Sequence, residues 1–181
     1  DLYCSSFDRI INTKKPMCDS DILDFTSLLE DIKDNHTNLE DSISKGLRSL
    51  DNPLIDYGLI NSELDKFFLS RIGIRTLISQ QVETTKKNSS IIADININDI
   101  LNDSINAASY IGERVYGDIP NIKLNSNDIN IRYIPEHLYY STLEILKNSI
   151  VSQVENEVLN EDIKIIVSEG KNDVIIRISD Y

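Results

Sequence analysis

The sequence predicts an α+β fold in which a four-helix bundle precedes a smaller region of strands built around one further helix. Before Gly117, apolar residues recur at steps of three and four, which is typical of amphipathic helices. After Gly117 they alternate with polar residues, as they do in half-buried strands. This change of period divides the chain into a helical domain, residues 1–117, and an α/β domain, residues 118–181.

The helical domain begins with three segments of helical spacing. An amphipathic stretch over 2–11 ends before Pro16, which cannot continue a helix. A long helix is predicted over 22–50, because apolar residues keep its period until Pro53. A third helix is predicted over 61–82, with Asn61 as its start signal. Each segment has one apolar face and therefore needs a packing partner.

A fourth helix is predicted over 98–115, after a polar stretch at 84–90 that has no periodicity and is interpreted as a loop. Gly117 and Pro120 end this helix. Four amphipathic helices joined by short connections are typical of a bundle.

The α/β domain contains a helix that starts at Pro135 and runs to Glu155, flanked by alternating strands. A turn at 169–172 joins the last two strands into an antiparallel hairpin. A sheet that ends after this hairpin is expected to be incomplete. The predicted strands cover 122–124, 129–133, 163–167 and 174–178.

The composition and charge of the chain exclude several classes of partner and binding site. The formal charge of -12 and the absence of a cluster of basic and aromatic residues argue against nucleic acid or an anionic membrane as the partner. Cys4 and Cys18 lack metal-ligand spacing, and reduced thiols are favoured over a disulfide. No apolar run is long enough to cross a bilayer. The N-terminus has no signal character, so a targeting segment is expected to have been removed or never included.

The helix over 135–155 carries the strongest candidate site. At about 100° per residue, its polar groups fall on one face, within an arc of roughly 100°. Leucine, isoleucine and valine occupy the opposite side, so one face is buried and the other is free for chemistry. A carboxylate, an amine and a carboxamide there could supply a proton acceptor, a phosphate contact and a metal ligand. This face comprises Glu144, Lys147, Asn148 and Glu155, together with the apolar Val151.

Asp180 directly follows the last predicted strand and is expected to approach the same site. Its carboxylate could accept a hydrogen bond from an adenine amine. Together with Asn148, which could complete a Mg²⁺ shell otherwise filled by phosphates and water, it predicts a nucleotide pocket.

Two other candidates have structural interpretations. Arg71 and Arg75 lie one turn apart, and solvated or ion-paired arginines are favoured there over an anion site. His36 lies in the apolar seam of the second helix and is favoured as a partly buried, hydrogen-bonded histidine over a ligand or base.

Several stretches of the chain together resemble the mitochondrial protein kinases of pyruvate dehydrogenase and branched-chain 2-oxoacid dehydrogenase. The resemblance runs through nearly the whole chain, in the family's order. It suggests a fungal-type member that is truncated before the glycines of the first nucleotide motif. The clearest stretches are 63–77 (ELDKFFLSRIGIRTL), 116–120 (YGDIP), 133–138 (YIPEHL), 144–148 (EILKN) and 176–180 (IRISD).

This resemblance implies a bundle that docks the lipoyl domain of the target complex, followed by the first part of an ATP-binding α/β sandwich of the histidine-kinase and Hsp90 type. Glu144 looks like the general base toward the substrate serine, and Asn148 like the Mg²⁺ ligand. Lys147 would lie beside the phosphates, and Asp180 would recognise adenine. The implied function is a mitochondrial-matrix serine kinase that uses ATP and Mg²⁺ to phosphorylate and inactivate the pyruvate dehydrogenase E1 component.

Departures from the family pattern leave alternatives open. Tyr140 stands where many pyruvate dehydrogenase kinases have histidine, and at i+4 spacing it could hydrogen-bond Glu144. Val151 replaces an arginine, Gln81 a histidine and Tyr181 an arginine. The branched-chain kinase and a catalytically weak regulatory scaffold paralogue are therefore the alternatives. The full-length protein is expected to form a homodimer or to pair with a paralogue.

A bacterial-type histidine kinase core is a further hypothesis, which the sequence disfavours. No histidine of the predicted bundle lies in a phosphoacceptor context, and His36 is the candidate that a test would address.

Overall fold

The structure, a computed structural model, describes residues 2–49, 56–87 and 89–180. The chain forms two compact units, Asp1–Ile91 and Ile92–Tyr181. None of the helices in the described ranges is long and apolar enough to span a membrane.

The first unit is helical in its described part, and its core lies mainly between two long helices. Leu29 and Ile32 of the second helix are buried, as is Ile78 of the fourth. This pairing buries only part of the apolar faces that the sequence predicts, because Ile72 and Leu77 of the fourth helix are 56% and 72% exposed. The helices are α1 (Leu2–Ile11), α2 (Asp19–Asn35), α3 (Leu39–Arg48) and α4 (Tyr57–Val82), followed by a π-helical turn (Glu83–Lys87).

The prediction of a single helix over 22–50 is wrong, because the helix is interrupted between α2 and α3. His36 ends α2 with its side chain only 5% exposed, and its carbonyl oxygen accepts a hydrogen bond of 2.9 Å from Arg71. Arg75 donates to the carbonyl of Lys33 at 3.2 Å. Carbonyls at a helix end lack partners within the helix. Two arginines of α4 supply those partners, so the end of α2 is stabilised by a distant segment.

The predicted start of the third helix is four residues late. Helix α4 begins at Tyr57, and the Asp56 carboxylate caps it by accepting from the backbone nitrogens of Gly58 (3.0 Å) and Leu59 (3.2 Å). An N-cap carboxylate satisfies donors that otherwise lack a partner. The predicted loop at 84–90 begins as the π-helical turn.

The predicted helix break at Asn52-Pro53, the end of the predicted seam at Leu50 and the Tyr181 departure lie outside the described residues.

The second unit places two helices against a mixed sheet. In its described part it comprises β1 (Ala93–Asn96), α5 (Ile97–Tyr116), β2 (Ile122–Asn125), β3 (Asn130–Tyr133), α6 (Pro135–Glu155), β4 (Ile163–Glu169) and β5 (Val174–Ser179). Strand β4 is central, parallel to β2 and antiparallel to β5. Strands β1 and β3 form a separate antiparallel ribbon. The predicted α+β class is confirmed at this level, and the predicted strands are present together with β1, which was not predicted.

The domain boundary differs from the predicted one, because α5 belongs to the second unit. Its inward face carries small residues, Ser104, Ala108 and Gly112, which allow α6 to approach closely. A Cβ atom added at Gly112 would lie 3.1 Å from Ile119 Cγ2 and 3.2 Å from Ile150 Cγ2. Contact with α6 therefore holds the fourth predicted helix in the α/β unit, and the division falls after Ile91 instead of after Gly117.

The core of the second unit lies between these helices and one face of the β2-β4-β5 sheet. Leu146 and Ile150 of α6 are essentially inaccessible, as are Ile163 and Ile165 of β4. The alternation in β4 directs Lys164 and Ile166 away from the helices. This packing fixes α6 relative to the sheet and so determines which of its faces is open.

Candidate functional site

One face of helix α6 is open to solvent because the opposite face is buried. The C-terminal end of the helix is also held by hydrogen bonds to the loop that follows it. Pro135 occupies the first helical turn, where a missing N–H is tolerated. The buried face comprises Thr142, Leu146, Ser149, Ile150 and Gln153. At the C-terminal end, the backbone carbonyl of Gln153 accepts from the nitrogen of Val158 at 2.9 Å. In its hydrogen-bonding orientation the side-chain amide of Gln153 donates to the carbonyls of Glu161 (3.0 Å) and Val158 (3.2 Å). The loop after α6 is thereby held on the helix.

Glu144 and Lys147 are brought into direct contact. Lys147 Nζ donates to Glu144 Oε1 at 2.8 Å, and their side chains are 36% and 38% exposed. An ion pair this exposed contributes only about 0.5 kcal/mol to stability. Its main consequence is geometric, because it holds one carboxylate oxygen of Glu144 and leaves the other open.

Asn148 lies next to this pair on the helix and is exposed. Its carboxamide makes no hydrogen bond to another described side chain, so its oxygen is open to a ligand. Val151 is half-buried and Glu155 exposed on the following turns. The predicted residues therefore lie on one helix and remain exposed or half-buried.

Asp180 follows β5 directly and is exposed. Ser179, the residue before it, pairs with Lys164 at the start of β4. Because α6 leads into β4, this register places Asp180 at the end of the sheet nearest the C-terminal end of α6. Strand register and connectivity therefore order Glu144, Asn148 and Asp180 in this direction, and among the described residues no hydrogen bond joins Asp180 to α6.

Tyr140 does not support Glu144 in this structure. Its side chain is 59% exposed, and the partner of the Glu144 carboxylate is Lys147. The predicted Tyr140–Glu144 hydrogen bond is therefore not formed. Since Lys147 lies at i+3 on the same face, it takes the position next to the carboxylate.

The donor set suits magnesium but not a dedicated all-protein metal site. Among the described residues no group of three or more histidine, cysteine and carboxylate side chains could hold a metal ion. Magnesium needs only one or two protein oxygens when phosphates and water complete its shell, and the open carboxamide oxygen of Asn148 meets that requirement. Cys4 and Cys18 are free, exposed thiols.

Arg71 and His36, the two candidates predicted in the helical unit, belong to a buried network of hydrogen bonds. Arg71 is 4% exposed and donates to Glu40 at 3.2 Å and to the Tyr3 hydroxyl at 3.3 Å, in addition to the carbonyl that ends α2. His36 Nε2 lies 2.9 Å from the Ser6 hydroxyl, and the ring of Tyr3 packs against the imidazole at an angle of 53°, with 4.3 Å between the ring centroids. The structural interpretations of both groups are confirmed.

Burial lowers the pKa of His36, and the positive charges of Arg71 and Arg75 lower it further. The imidazole is therefore neutral at neutral pH. A buried ring already bonded to a hydroxyl is a poor phosphoacceptor, which weighs against the histidine kinase hypothesis. Gln81, the other departure in this unit, donates to the Thr85 hydroxyl at 2.9 Å and helps to hold the π-helical turn.

Sequence reasoning missed two residues of the α6 face. His137 and Ser141 lie seven and three residues before Glu144, and both line a cleft beside the N-terminal half of the helix. Continuing the helical period backwards from Glu144 would have found them.

Comparison with known proteins identifies the family. Residues 1–113 match the family model described as mitochondrial branched-chain alpha-ketoacid dehydrogenase kinase. A protein named mitochondrial pyruvate dehydrogenase (acetyl-transferring) kinase from Ascaris suum is 29% identical over 98% of this chain and 50% of its own length. Proteins of the same name from Arabidopsis thaliana and Schizosaccharomyces pombe are each 31% identical, over 99% and 86% of this chain and 53% and 40% of theirs.

The chain spans about half the length of the curated relatives it matches. The family model covers the helical unit and most of α5, and the relatives extend the match through α6 and β5. The chain belongs to the mitochondrial 2-oxoacid dehydrogenase kinase family, whose model carries the branched-chain description and whose matched members carry the pyruvate dehydrogenase name.

Proposed function

We propose that the protein is a serine kinase that uses Mg-ATP to phosphorylate the E1 component of the pyruvate dehydrogenase complex and thereby inactivates it. The observation that carries this proposal is the order of groups on two adjacent elements. Glu144, Lys147 and Asn148 follow one another on the open face of α6, and Asp180 follows the last residue of β5, at the end of the sheet where β4 begins. The names of the matched relatives supply the substrate.

Glu144 is the base of this reaction. The serine oxygen forms a bond to the γ-phosphorus while the bond to the leaving ADP oxygen breaks, and the hydroxyl proton passes to the carboxylate. The ion pair with Lys147 supports this role, because it fixes one oxygen and leaves the second available to the hydroxyl. A carboxylate placed in this way contributes mainly by orienting the nucleophile and accepting its proton.

The remaining groups bind the nucleotide. Asn148 would hold Mg²⁺ through its carboxamide oxygen, and the ion would neutralise charge on the phosphates when bound. Asp180 would accept a hydrogen bond from the adenine amine. Lys147 would contact the phosphates, for which its ammonium must turn from Glu144, a rearrangement that an exposed ion pair allows.

We further propose the arrangement of the whole protein. Its helical part docks the lipoyl domain of E2, its α/β part belongs to the histidine-kinase and Hsp90 type of ATP-binding sandwich, and the full-length protein forms a dimer in the mitochondrial matrix. The family membership supports each of these statements.

Phosphate transfer from ATP to purified E1 by the full-length protein tests the function. Glu144→Gln keeps the shape of the side chain but removes the proton acceptor, so kcat should fall by about 10²- to 10⁴-fold with ATP binding retained. Glu155→Gln is the matched control, because Glu155 is exposed about three turns further along the same face. Equal rates for the two variants would contradict the role of Glu144.

The branched-chain 2-oxoacid dehydrogenase is the second candidate substrate, favoured by the description of the matched family model and by Tyr140. Parallel assays with the two purified E1 components separate the candidates by their kcat/KM values. Transfer to neither component, with lipoyl-domain binding retained, would instead support the regulatory scaffold paralogue.

A further inference from the structure

A cleft of about 690 Å³ opens beside the N-terminal half of α6. Its size lies in the range of sites that bury a small ligand or a few side chains. Its polar lining comprises Tyr133, His137, Ser141, Glu169, Lys171, Asn172 and Asp173. The floor is aliphatic and is formed by Ile97, Ile131, Leu138, Val174 and Ile176. These residues come from α5, β3, α6, the β4–β5 hairpin and its turn, so the cleft is part of the fold of this unit.

The wall opposite α6 is a tightly closed turn. The Gly170 nitrogen donates to the Asp173 carbonyl at 2.8 Å across the β4–β5 hairpin. A Cβ atom at position 170 would lie 2.1 Å from Asp173 Oδ1, so glycine leaves room for the Asp173 side chain against the turn. Lys171 lies in this turn and lines the cleft.

The cleft shares the helix face that carries the proposed base. His137, Ser141, Glu144 and Asn148 fall within an arc of about 60° on α6. At about 1.5 Å per residue, Ser141 precedes Glu144 by roughly 4.5 Å along the axis and His137 precedes it by roughly 10 Å. The cleft thus begins about one turn from Glu144.

Strand β5 also supports the order in which the cleft, Glu144 and Asp180 follow one another. It begins beside the N-terminal half of α6, because Val174 and Ile176 line the cleft together with His137 and Ser141. Its first residue, Val174, lines the cleft, and Asp180 follows its last residue at the opposite end. The proposed adenine contact and the cleft therefore lie on opposite sides of Glu144. In phosphoryl transfer the attacking and leaving oxygens are roughly in line, so the acceptor enters from the side away from the nucleotide.

From this order we infer that the cleft binds the acceptor segment of the protein substrate and seats an apolar side chain close to the serine. The inference rests on the proposed kinase function, since it takes Glu144 as the base. An extended peptide advances about 3.3 Å per residue. The distances from Glu144 to Ser141 and His137 then place the seated side chain about one to three residues from the serine. The aliphatic floor selects leucine, isoleucine, valine or methionine over a charged residue.

Ser141→Phe tests the inference by filling the cleft. Ser141 is exposed, and its hydroxyl bonds only the His137 carbonyl of its own helix, at 2.6 Å, so the core is untouched. Side chains on helices lean toward the N-terminus, which directs the ring over the cleft and away from Glu144. Ser42→Phe is the matched control, because Ser42 is also exposed and bonds the carbonyl of Asn38, at 3.1 Å, within α3.

The probe is a fluorescein-labelled peptide that spans the phosphorylated serine of E1, with that serine replaced by alanine, and its binding to the full chain is followed by anisotropy. Ser141→Phe should weaken binding by about 10- to 100-fold, while Ser42→Phe should not change it. Replacing the apolar peptide residue that is expected to enter the cleft by aspartate should weaken binding to the wild-type protein by a similar factor. The same replacement should have little further effect on binding to Ser141→Phe. Binding of a fluorescent ATP analogue should be equal in all three proteins.

The outcomes separate this inference from the proposed function. Equal peptide affinity in wild type, Ser141→Phe and Ser42→Phe overturns the cleft assignment even if E1 is phosphorylated. Loss of ATP-analogue binding in Ser141→Phe also overturns it, because the effect would then extend beyond the acceptor side. A peptide that binds wild type, fails to bind Ser141→Phe and is never phosphorylated in its serine form supports the cleft and rejects the kinase function.

Discussion

Arg71 on α4 donates a hydrogen bond of 2.9 Å to the carbonyl oxygen of His36, the residue that ends α2. The same guanidinium bonds Glu40 on α3 and Tyr3 on α1. One buried side chain therefore connects all four described helices of this unit. A charged group in this position stabilises only while its partners are in place, because its desolvation is offset by these bonds.

Replacing Arg71 should destabilise the helical unit. Arg71→Met keeps much of the volume but leaves the carbonyl of His36 buried without its donor, so we expect a loss of about 2–4 kcal/mol in the free energy of unfolding. Urea denaturation followed by circular dichroism measures it. Arg48→Met is the control, because Arg48 is exposed near the end of α3, and it should change stability by less than about 0.5 kcal/mol. Similar losses in both variants would refute the network.

Stability should fall with acid through His36. Its pKa is lowered in the folded protein by burial and by Arg71 and Arg75, from an ordinary value of 6.5. As the pH falls below 6.5, the unfolded chain therefore takes up the proton first, and folding stability decreases until the folded pKa is reached. Well above pH 6.5 the imidazole is neutral in both the folded and the unfolded state, and the contribution is complete.

Urea denaturation at pH 5.5 and 7.5 measures this dependence. His36→Gln should flatten the pH dependence within that window, whereas His137→Gln, which changes the chain's other histidine, should preserve it. An unchanged slope in His36→Gln would assign the dependence to other groups.

The close approach of α5 and α6 should depend on Gly112. Gly112→Val forces methyl groups against Ile119 and Ile150, whose Cγ2 atoms already lie 3.1 and 3.2 Å from an ideal Cβ, so we expect a loss of about 1–3 kcal/mol. Gly73 on α4 has no atom within 4 Å of its ideal Cβ, which makes Gly73→Val the matched control, expected within about 0.5 kcal/mol of wild type. Thermal unfolding distinguishes them, and equal melting temperatures would show that α6 can shift freely.

Sequence patterns predicted the helices and strands that are determined by neighbouring residues. The face of α6 and the β4–β5 hairpin follow from helical period, from alternation and from a glycine turn, all of which are properties of neighbouring residues. They also placed Glu144, Lys147 and Asn148 correctly on one face.

Features that depend on distant partners were not predictable in this way. The end of α2 at His36 needs two arginines of α4, and the ribbon strand Ala93–Asn96 has only a short, polar-rich pattern and acquires its structure by pairing with β3. The membership of α5 in the second unit follows from its contact with Ile150 of α6, which helical period does not reveal.

The orientation of Glu144 should depend on Lys147 and not on Tyr140. Tyr140 is 59% exposed, and Lys147 is the residue that bonds the carboxylate, at 2.8 Å. Tyr140→Phe removes only the hydroxyl and should change kcat for E1 phosphorylation by less than about 2-fold, since no bond to the base is lost. Lys147→Met removes both the partner of the base and the proposed phosphate contact, and should lower kcat by about 10- to 100-fold.

Steady-state phosphorylation assays across pH 6 to 9 separate the roles. If Lys147 orients the base, Lys147→Arg should restore much of kcat, because a guanidinium can bond the same oxygen. If Tyr140→Phe instead lowers kcat as strongly as Lys147→Met, the tyrosine hydroxyl supports Glu144 during turnover, and the pairing seen in this structure is not the one used in the reaction.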